Sequence, residues 1–379
     1  MVFEHNRAAA EKNLNYFIEN KLSNYSKLRN FSADTLNRLT TSKLSPYITH
    51  GILNEAEVIK EILKKHSFSK SEKFINEILW RIYWKGYLEL RPQIWDDFIS
   101  DLKAIEIEYK NNRNYKLAIE GSTNIKCFND WLKELKETNY LHNHVRMWFA
   151  SIWIFTLNLP WQLGASLFIK YLYDGDISSN TLSWRWVAGI QTVGKNYLAK
   201  EWNIRKFTNE KYTNIKVNEN ALPIIDMRQY QLKLNEFLNP KIKQNLKLLI
   251  FENNLSFEES DFSNKNFEKI FLVKNNNRKI ELCKNVKELK NNFINDQANR
   301  LKYKSINYEV INIEDVIKIN EDVFALYPNI GENFDFIKSY NSKNIKYLYR
   351  KIDLISWKYC NKGFFNFKNY IPKIIKELN

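Results

Sequence analysis

Three clusters of this chain combine residue types that could do chemistry with spacings that would bring them together. The first is Thr41, Ser42, Leu44 and Ser45, just ahead of Pro46. Hydroxyls before a helix whose first turn holds Pro46 make Ser45 a candidate N-cap, with free backbone N–H groups beyond it. Such an end either holds a phosphate or pyrophosphate, or is a capped helix without a ligand. In the second cluster, Glu77, Trp80 and Trp84 fall on one helical face at steps of three and four. Indoles stack on planar groups, and a carboxylate accepts hydrogen bonds from imide-like donors. The plainer alternative is a surface Glu77–Arg81 pair with Trp80 in the core.

The third cluster is the richest. Asn143, Arg146 and Met147 share a helix face, and Arg146 can pair with Asp174 or Asp176 in the following segment. Two carboxylates separated by Gly175 point either to a metal or to a hydrogen-bonded ring system. The metal reading lacks ligands, because His142 and His144 are two residues apart and cannot both face Asp174 from one helix. Asn180 and Trp184 sit one helical turn apart, so an amide and an indole approach the same object. Trp161, beside Pro160, extends an aromatic series or is simply core. Buried polar groups are costly unless satisfied, and a large ligand, part polar and part aromatic, would satisfy these.

The elements that must position these residues are helical to about residue 210. Periodic apolar spacing predicts helices over 11–22, 54–65, 74–90, 128–135, 141–157, 163–173 and 177–188. A polar stretch over 211–245 holds one expected helix, 226–238. Short apolar runs at 246–251, 269–273, 308–311, 322–326 and 345–349 then alternate with helical segments at 286–301 and 334–340. That alternation predicts a small α/β domain with a mostly parallel sheet. No glycine-rich dinucleotide fingerprint follows any of these strands.

Composition bounds the function. A chain of 379 residues, 44% hydrophobic and 15% aromatic, has ample core for two or three domains. No apolar run is long enough to span a membrane, and the first residues form no signal segment. Three scattered cysteines fit neither a disulfide framework nor a metal cluster and agree with a reducing cytoplasm. The net charge of +15 favours a polyanionic partner, although AT-rich coding produces the same surplus of Lys, Asn and Ile.

Thr-Ser-x-Leu-Ser, Asn-Glu-x-x-Trp-Arg, His-Asn-x-x-Arg-Met, and Asp-Gly-Asp-x-x-x-Asn with a downstream Trp-x-Trp occur here in that order. Together they resemble the flavin-binding domain of the photolyase/cryptochrome family, over roughly residues 25–207. The resemblance implies a mainly α-helical FAD-binding domain of photolyase type over 1–214. A linker with one helix over 215–244 and a smaller α/β domain over 245–379 would follow. Family members begin with an α/β antenna domain; here the α/β stretch comes second, which implies a rearranged order. No antenna chromophore is assigned.

The same resemblance implies roles. Thr41, Ser42, Leu44 and Ser45 would contact the pyrophosphate and ribityl of FAD, with Arg81 and Asn143 among the further cofactor contacts. Arg146 and Asp174 would flank the isoalloxazine, Asp176 would hydrogen-bond the ring, and Asn180 would face N5, as in the family's repair enzymes. Glu77 and Trp80 match the acid and indole that hold a cyclobutane pyrimidine dimer. Asn143 and Met147 mark the same subclass, since enzymes for the (6-4) lesion carry histidines there. Arg81, Trp84, Tyr140 and His144 would complete the DNA side, Tyr140 replacing a tryptophan and His144 a basic residue. Trp184 and Trp161 would be the proximal and middle members of an electron chain, with Tyr109 standing in for the distal tryptophan. The expected activity is light-driven repair of pyrimidine dimers in DNA, a carbon–carbon lyase reaction. The expected protein is a cytoplasmic monomer without a metal. The alternative is a cryptochrome-like photoreceptor that signals to a partner without repair.

Overall fold

The computed structural model describes residues 3–32, 40–233, 237–242, 246–340 and 344–378. The first half is helical. Helix Glu55–Lys65 opens with a capping box in which Asn54 and Glu57 satisfy each other's backbone N–H. The 22-residue helix Phe68–Glu89 is the central pillar and stops before Arg91-Pro92, as its periodicity predicts. Directly after it runs helix Gln93–Tyr109, in a stretch where the periodicity predicts none. Its buried Ile94, Trp95, Phe98, Ile99 and Leu102 form one apolar stripe. Helix Asn143–Ser151 continues as a π turn over Ile152–Thr156 before helices Trp161–Tyr171 and Ile177–Ala188.

The α/β half has strands β1 (Lys247–Phe251), β2 (Ile270–Lys274), β3 (Tyr308–Asn312), β4 (Val323–Leu326) and β5 (Ile345–Leu348). They form one sheet in the order β3-β2-β1-β4-β5, with every neighbouring pair parallel. The sheet is thus parallel throughout. β1 and β4 are buried almost along their whole length, which is why they read as continuous apolar runs and not as alternating strands. Helix Lys284–Tyr303 makes the crossover from β2 to β3.

The expected linker helix over 226–238 does not form. Residues 213–233 contain no helix, and 234–236 lie outside the described residues. The segment instead hydrogen-bonds to its surroundings. Ile224 N donates to Ala188 O at 2.9 Å and Lys233 N to Leu90 O at 2.9 Å. Asp226 pairs with buried Arg185, and Arg228 reaches Asp101 at 2.8 Å. Backbone groups committed to neighbours in this way cannot form an intrahelical ladder, and Leu222, Ile225 and Met227 are left exposed with no apolar face to bury.

One hydrophobic core runs through both halves, joining residues such as Leu14, Ile75 and Trp148 to Leu248, Phe324 and Trp357. Buried polar groups pin the halves together. Glu55 is fully buried and paired with Lys85 at 3.1 Å and Arg350 at 2.7 Å. Glu89 accepts from Tyr327 Oη at 2.7 Å and Ile330 N at 2.8 Å. His50 lies between Tyr173 O and Glu252 O at 3.0 and 3.1 Å. The helical half is therefore held against the sheet on several sides.

Candidate functional site

The residues expected around a cofactor converge on the turn between helices Trp161–Tyr171 and Ile177–Ala188. Arg146 Nη2 meets Asp174 Oδ2 at 2.9 Å, and its Nε donates to Leu141 O at 2.9 Å. The Asp174 carboxyl is buried. Desolvation pushes its pKa up, but Arg146, the neighbouring Ser45 hydroxyl and the Arg81 charge outweigh it and hold the group below the usual carboxylate range. Its Oδ1 is buried without a hydrogen-bond partner. Arg81 donates from Nη2 to Thr49 Oγ1 at 2.6 Å, and its Nε is likewise buried and unpartnered. An unsatisfied buried polar atom costs about 1–3 kcal/mol, so these atoms fit a polar ligand.

Asn180 is oriented by its own amide: Nδ2 donates to Ala165 O at 2.9 Å, which leaves Oδ1 as an acceptor. Asp176 does a more local task than expected. It is the N-cap of helix Ile177–Ala188, with Oδ1 accepting from Ser179 N at 2.7 Å. Its carboxyl, desolvated by burial, is held low by the charges of Arg81 and Lys85 and by that cap. Ser45 is not an N-cap. It is the first residue of the short helix Ser45–Thr49, and no side chain caps that helix. Ser42 Oγ instead accepts from Leu44 N at 3.3 Å. Thr41 and Leu44 are buried, whereas Ser42 and Ser45 are partly exposed. Among the described residues, no group of three or more His, Cys, Asp or Glu side chains is placed to hold a metal ion.

A second set is more open. Glu77, Trp80, Met147 and Arg146 are partly exposed and Asn143 is exposed. Glu77 does not pair with Arg81. It forms an ion pair with Arg29, which arrives from the end of helix Leu22–Leu28. Tyr25 lies beside this pair, and burial, with the Glu77 charge next, pushes its phenol well above the ordinary range. Arg29 and Tyr25 escaped the sequence reading because a seven-residue helix has too little pattern to mark them. The Trp80 indole stacks on Phe364 from the C-terminal region, with centroids 3.5 Å apart and planes at 10°.

Three of the expected DNA-side residues need comment. His144 is buried, with its ring 4.2 Å from that of Trp148 and Nδ1 3.1 Å from Asn30 O. Burial lowers its pKa, so it is not a surface cation for a phosphate backbone. Trp84 is also buried, packed among Trp80, Tyr83 and Tyr87. It belongs to the core in place of the expected DNA contact. Tyr140 stays partly exposed, its ring 5.4 Å from the Arg146 guanidinium.

The aromatic series also departs from expectation. Trp184 presses so closely on helix Trp161–Tyr171 that a Cβ at Gly164 would lie 2.2 Å from its indole. Its ring contacts are Phe168 at 5.1 Å and Trp153 at 6.4 Å, and Trp153 in turn meets half-buried Tyr115 at 6.1 Å. Trp161 stacks instead on Phe98 at 5.4 Å, and no ring contact among the described residues joins it to Trp184. Tyr109 is partly buried at the end of helix Gln93–Tyr109.

Residues 74–236 match the FAD binding domain of DNA photolyase. Over that region the chain is similar to proteins of the photolyase/cryptochrome family. A deoxyribodipyrimidine photo-lyase of Vibrio cholerae is 26% identical over 187 residues, 48% of this chain and 39% of that protein. A protein of Idiomarina loihiensis named cryptochrome DASH is 28% identical over 211 residues, 54% of this chain and 45% of that protein. The Synechocystis cryptochrome structure aligns with a TM-score of 0.48 at 21% identity, covering 55% of this chain and 44% of that chain. The chain thus spans less than half the length of these photolyase and cryptochrome relatives. Glu77, Trp80, Asn143, Arg146, Asp174 and Asn180 lie inside the family match, while Arg29, Ser45 and Phe364 lie outside it. The described helices include none long and apolar enough to cross a membrane.

Proposed function

We propose that the chain binds FAD and uses light to repair cyclobutane pyrimidine dimers in DNA. One observation carries this reading. Buried Asp174, with an unpartnered carboxylate oxygen, pairs with partly exposed Arg146, and Glu77, Trp80, Asn143 and Met147 form a second, more open set. Bound reduced FAD would supply an electron to the dimer under light and receive it back after the ring opens.

The rest is the work of the side chains. Asp174 Oδ1 and Asn180 Oδ1 offer acceptors to ring N–H groups, and Arg146 keeps Asp174 ionised. Ser45, with Thr41, Ser42 and Leu44 upstream, would border the phosphate end. Arg81 would add a positive charge near both aspartates, and Asp176 would keep the next helix in place. A dimer must leave the DNA stack to reach such a site, at a cost of a few kcal/mol. Stacking on Trp80 returns about 1–3 kcal/mol, and Glu77 accepts from the imide N–H groups. The net charge of +15 draws DNA towards the protein in a salt-dependent way. Trp184 would pass electrons to the cofactor, with its ring neighbour Trp153 as the next member of the path in place of Trp161 and Tyr109.

The decisive experiment mixes chemically reduced, FAD-loaded protein with a dimer-containing oligonucleotide under blue light. Restored thymines are expected. Light absorption without repair would instead favour a photoreceptor, the reading that the cryptochrome DASH relative keeps open.

A further inference from the structure

Phe364 lies far outside the family match, yet it covers one face of Trp80 at 3.5 Å with nearly parallel planes. That distance leaves no room for a second planar group on the same face. A base or dimer can therefore stack only on the opposite face, and the indole remains partly exposed. The segment that delivers Phe364 is held at several points along the helix that carries Trp80. Trp357 fills a notch at Gly86, where a Cβ would lie 2.5 Å from its ring. Tyr83 Oη donates to Lys362 O at 2.9 Å, Arg91 Nη2 to Asn361 O at 2.8 Å, and Lys368 pairs with Glu72 at 2.9 Å. Tyr83 closes the edge of Phe364 at 5.4 Å.

We infer that Phe364 is a positioning residue: it fixes the Trp80 indole in one orientation, so that the part of the ring left exposed is ready for a flipped pyrimidine dimer. This rests on the proposed role of Trp80 as recognition wall. The physical gain is preorganisation. An indole already ordered by a stacked partner loses little freedom when a ligand arrives. The brace comes from the chain beyond the sheet, so the α/β half contributes directly to recognition.

The test compares binding of dimer-containing and undamaged oligonucleotides by the full chain in the dark. Phe364→Leu should weaken dimer binding by about fivefold with little change for undamaged DNA, and Phe364→Tyr should restore it. Under light, KM should rise while kcat holds. Phe367→Leu is the packing control. Phe367 is fully buried and touches Phe364 and Tyr83 but makes no ring contact with Trp80. It should lower Tm and leave dimer discrimination intact. If Phe364→Leu binds dimers as tightly as the parent, or more tightly, the brace is refuted and the segment is a cover. If it loses both kinds of DNA equally, the contact is only packing. Trp80→Ala separates the two levels. Unchanged dimer binding there overturns the recognition wall and the brace with it; loss in Trp80→Ala alone overturns only the brace.

Discussion

The two sides of the candidate site are built on opposite plans. The Arg146–Asp174–Asn180 side is mostly buried, Arg146 only in part, and is held by nearby backbone: Arg146 by Leu141 O, Asn180 by Ala165 O. The Glu77–Trp80 side is partly exposed and held by remote side chains, Arg29 from one end of the chain and Phe364 from the other. A side fixed by local backbone resists change until the fold itself yields. A side fixed by remote contacts can be adjusted without unfolding the protein. Mutations on the first should therefore act on stability and cofactor together, and mutations on the second on substrate alone.

The largest effect tests the buried side. Asp174→Ala leaves Arg146 without its carboxylate partner, and breaking a largely buried pair costs roughly 3–5 kcal/mol. Denaturant unfolding should show that loss, and FAD uptake should fail in the same variant. The pH dependence has a definite sign. Because the folded Asp174 titrates below its ordinary value, its contribution is fully present above the ordinary aspartate range. It is lost as pH falls through the depressed value. Asp174→Asn should flatten the acid limb of the stability profile. A variant that binds FAD with unchanged stability would erase the contrast between the two sides.

Trp80→Ala comes next, on the open side. The expected loss is about 1–3 kcal/mol of dimer binding, with FAD uptake and the unfolding midpoint close to the parent's. Oligonucleotide titration and flavin absorbance on the same preparation give both numbers. If FAD uptake falls as well, the two sides are coupled and not independent.

A smaller, kinetic effect concerns the aromatic series beside the buried side. Trp184→Phe should stop photoreduction of bound oxidised FAD. Trp153→Phe should slow it several-fold more than Trp161→Phe, because Trp184 has ring contact with Trp153 and not with Trp161. Steady-state bleaching under blue light in the presence of a thiol decides. The opposite ranking would favour the Trp161 and Tyr109 route that the resemblance implies.

How far the sequence reveals these features follows the same division. Asn143, Arg146 and Met147 are legible because helical steps of three and four place them on one face, and the Asp174-Gly-Asp176 turn advertises itself by composition. The strands are legible as short apolar runs, most continuous where β1, β2 and β4 are buried along almost their whole length. Arg29 and Phe364 are not, because a pair joining residues 48 apart, or one crossing from beyond the sheet, leaves no local period. His144 and Trp84 read as DNA contacts from their motif neighbours, yet burial against Trp148 and Tyr83 decides their place. The expected helix over 226–238 fails for the same reason. Asp226 and Arg228 find partners in Arg185 and Asp101, and propensity yields to tertiary contact.

The smallest effect probes the remote hold on Glu77. Arg29 and Glu77 are each about a third exposed, and exposed pairs of this kind contribute about 0.2–1 kcal/mol. Arg29→Ala should therefore barely move the unfolding midpoint. Its consequence lies in substrate binding. Arg29 engages Oε1 of Glu77, which leaves Oε2 to accept from an imide N–H in a fixed direction. Without Arg29 the carboxylate turns freely in water, so dimer affinity should fall by less than about tenfold, within the range of a single charge-assisted hydrogen bond. Salt separates this from general loss of DNA attraction. A lost phosphate contact would reduce the salt slope by about one unit, whereas a lost orienting pair leaves the slope unchanged and weakens dimer binding only. A changed slope with intact dimer preference would move Arg29 from the recognition side to the DNA backbone.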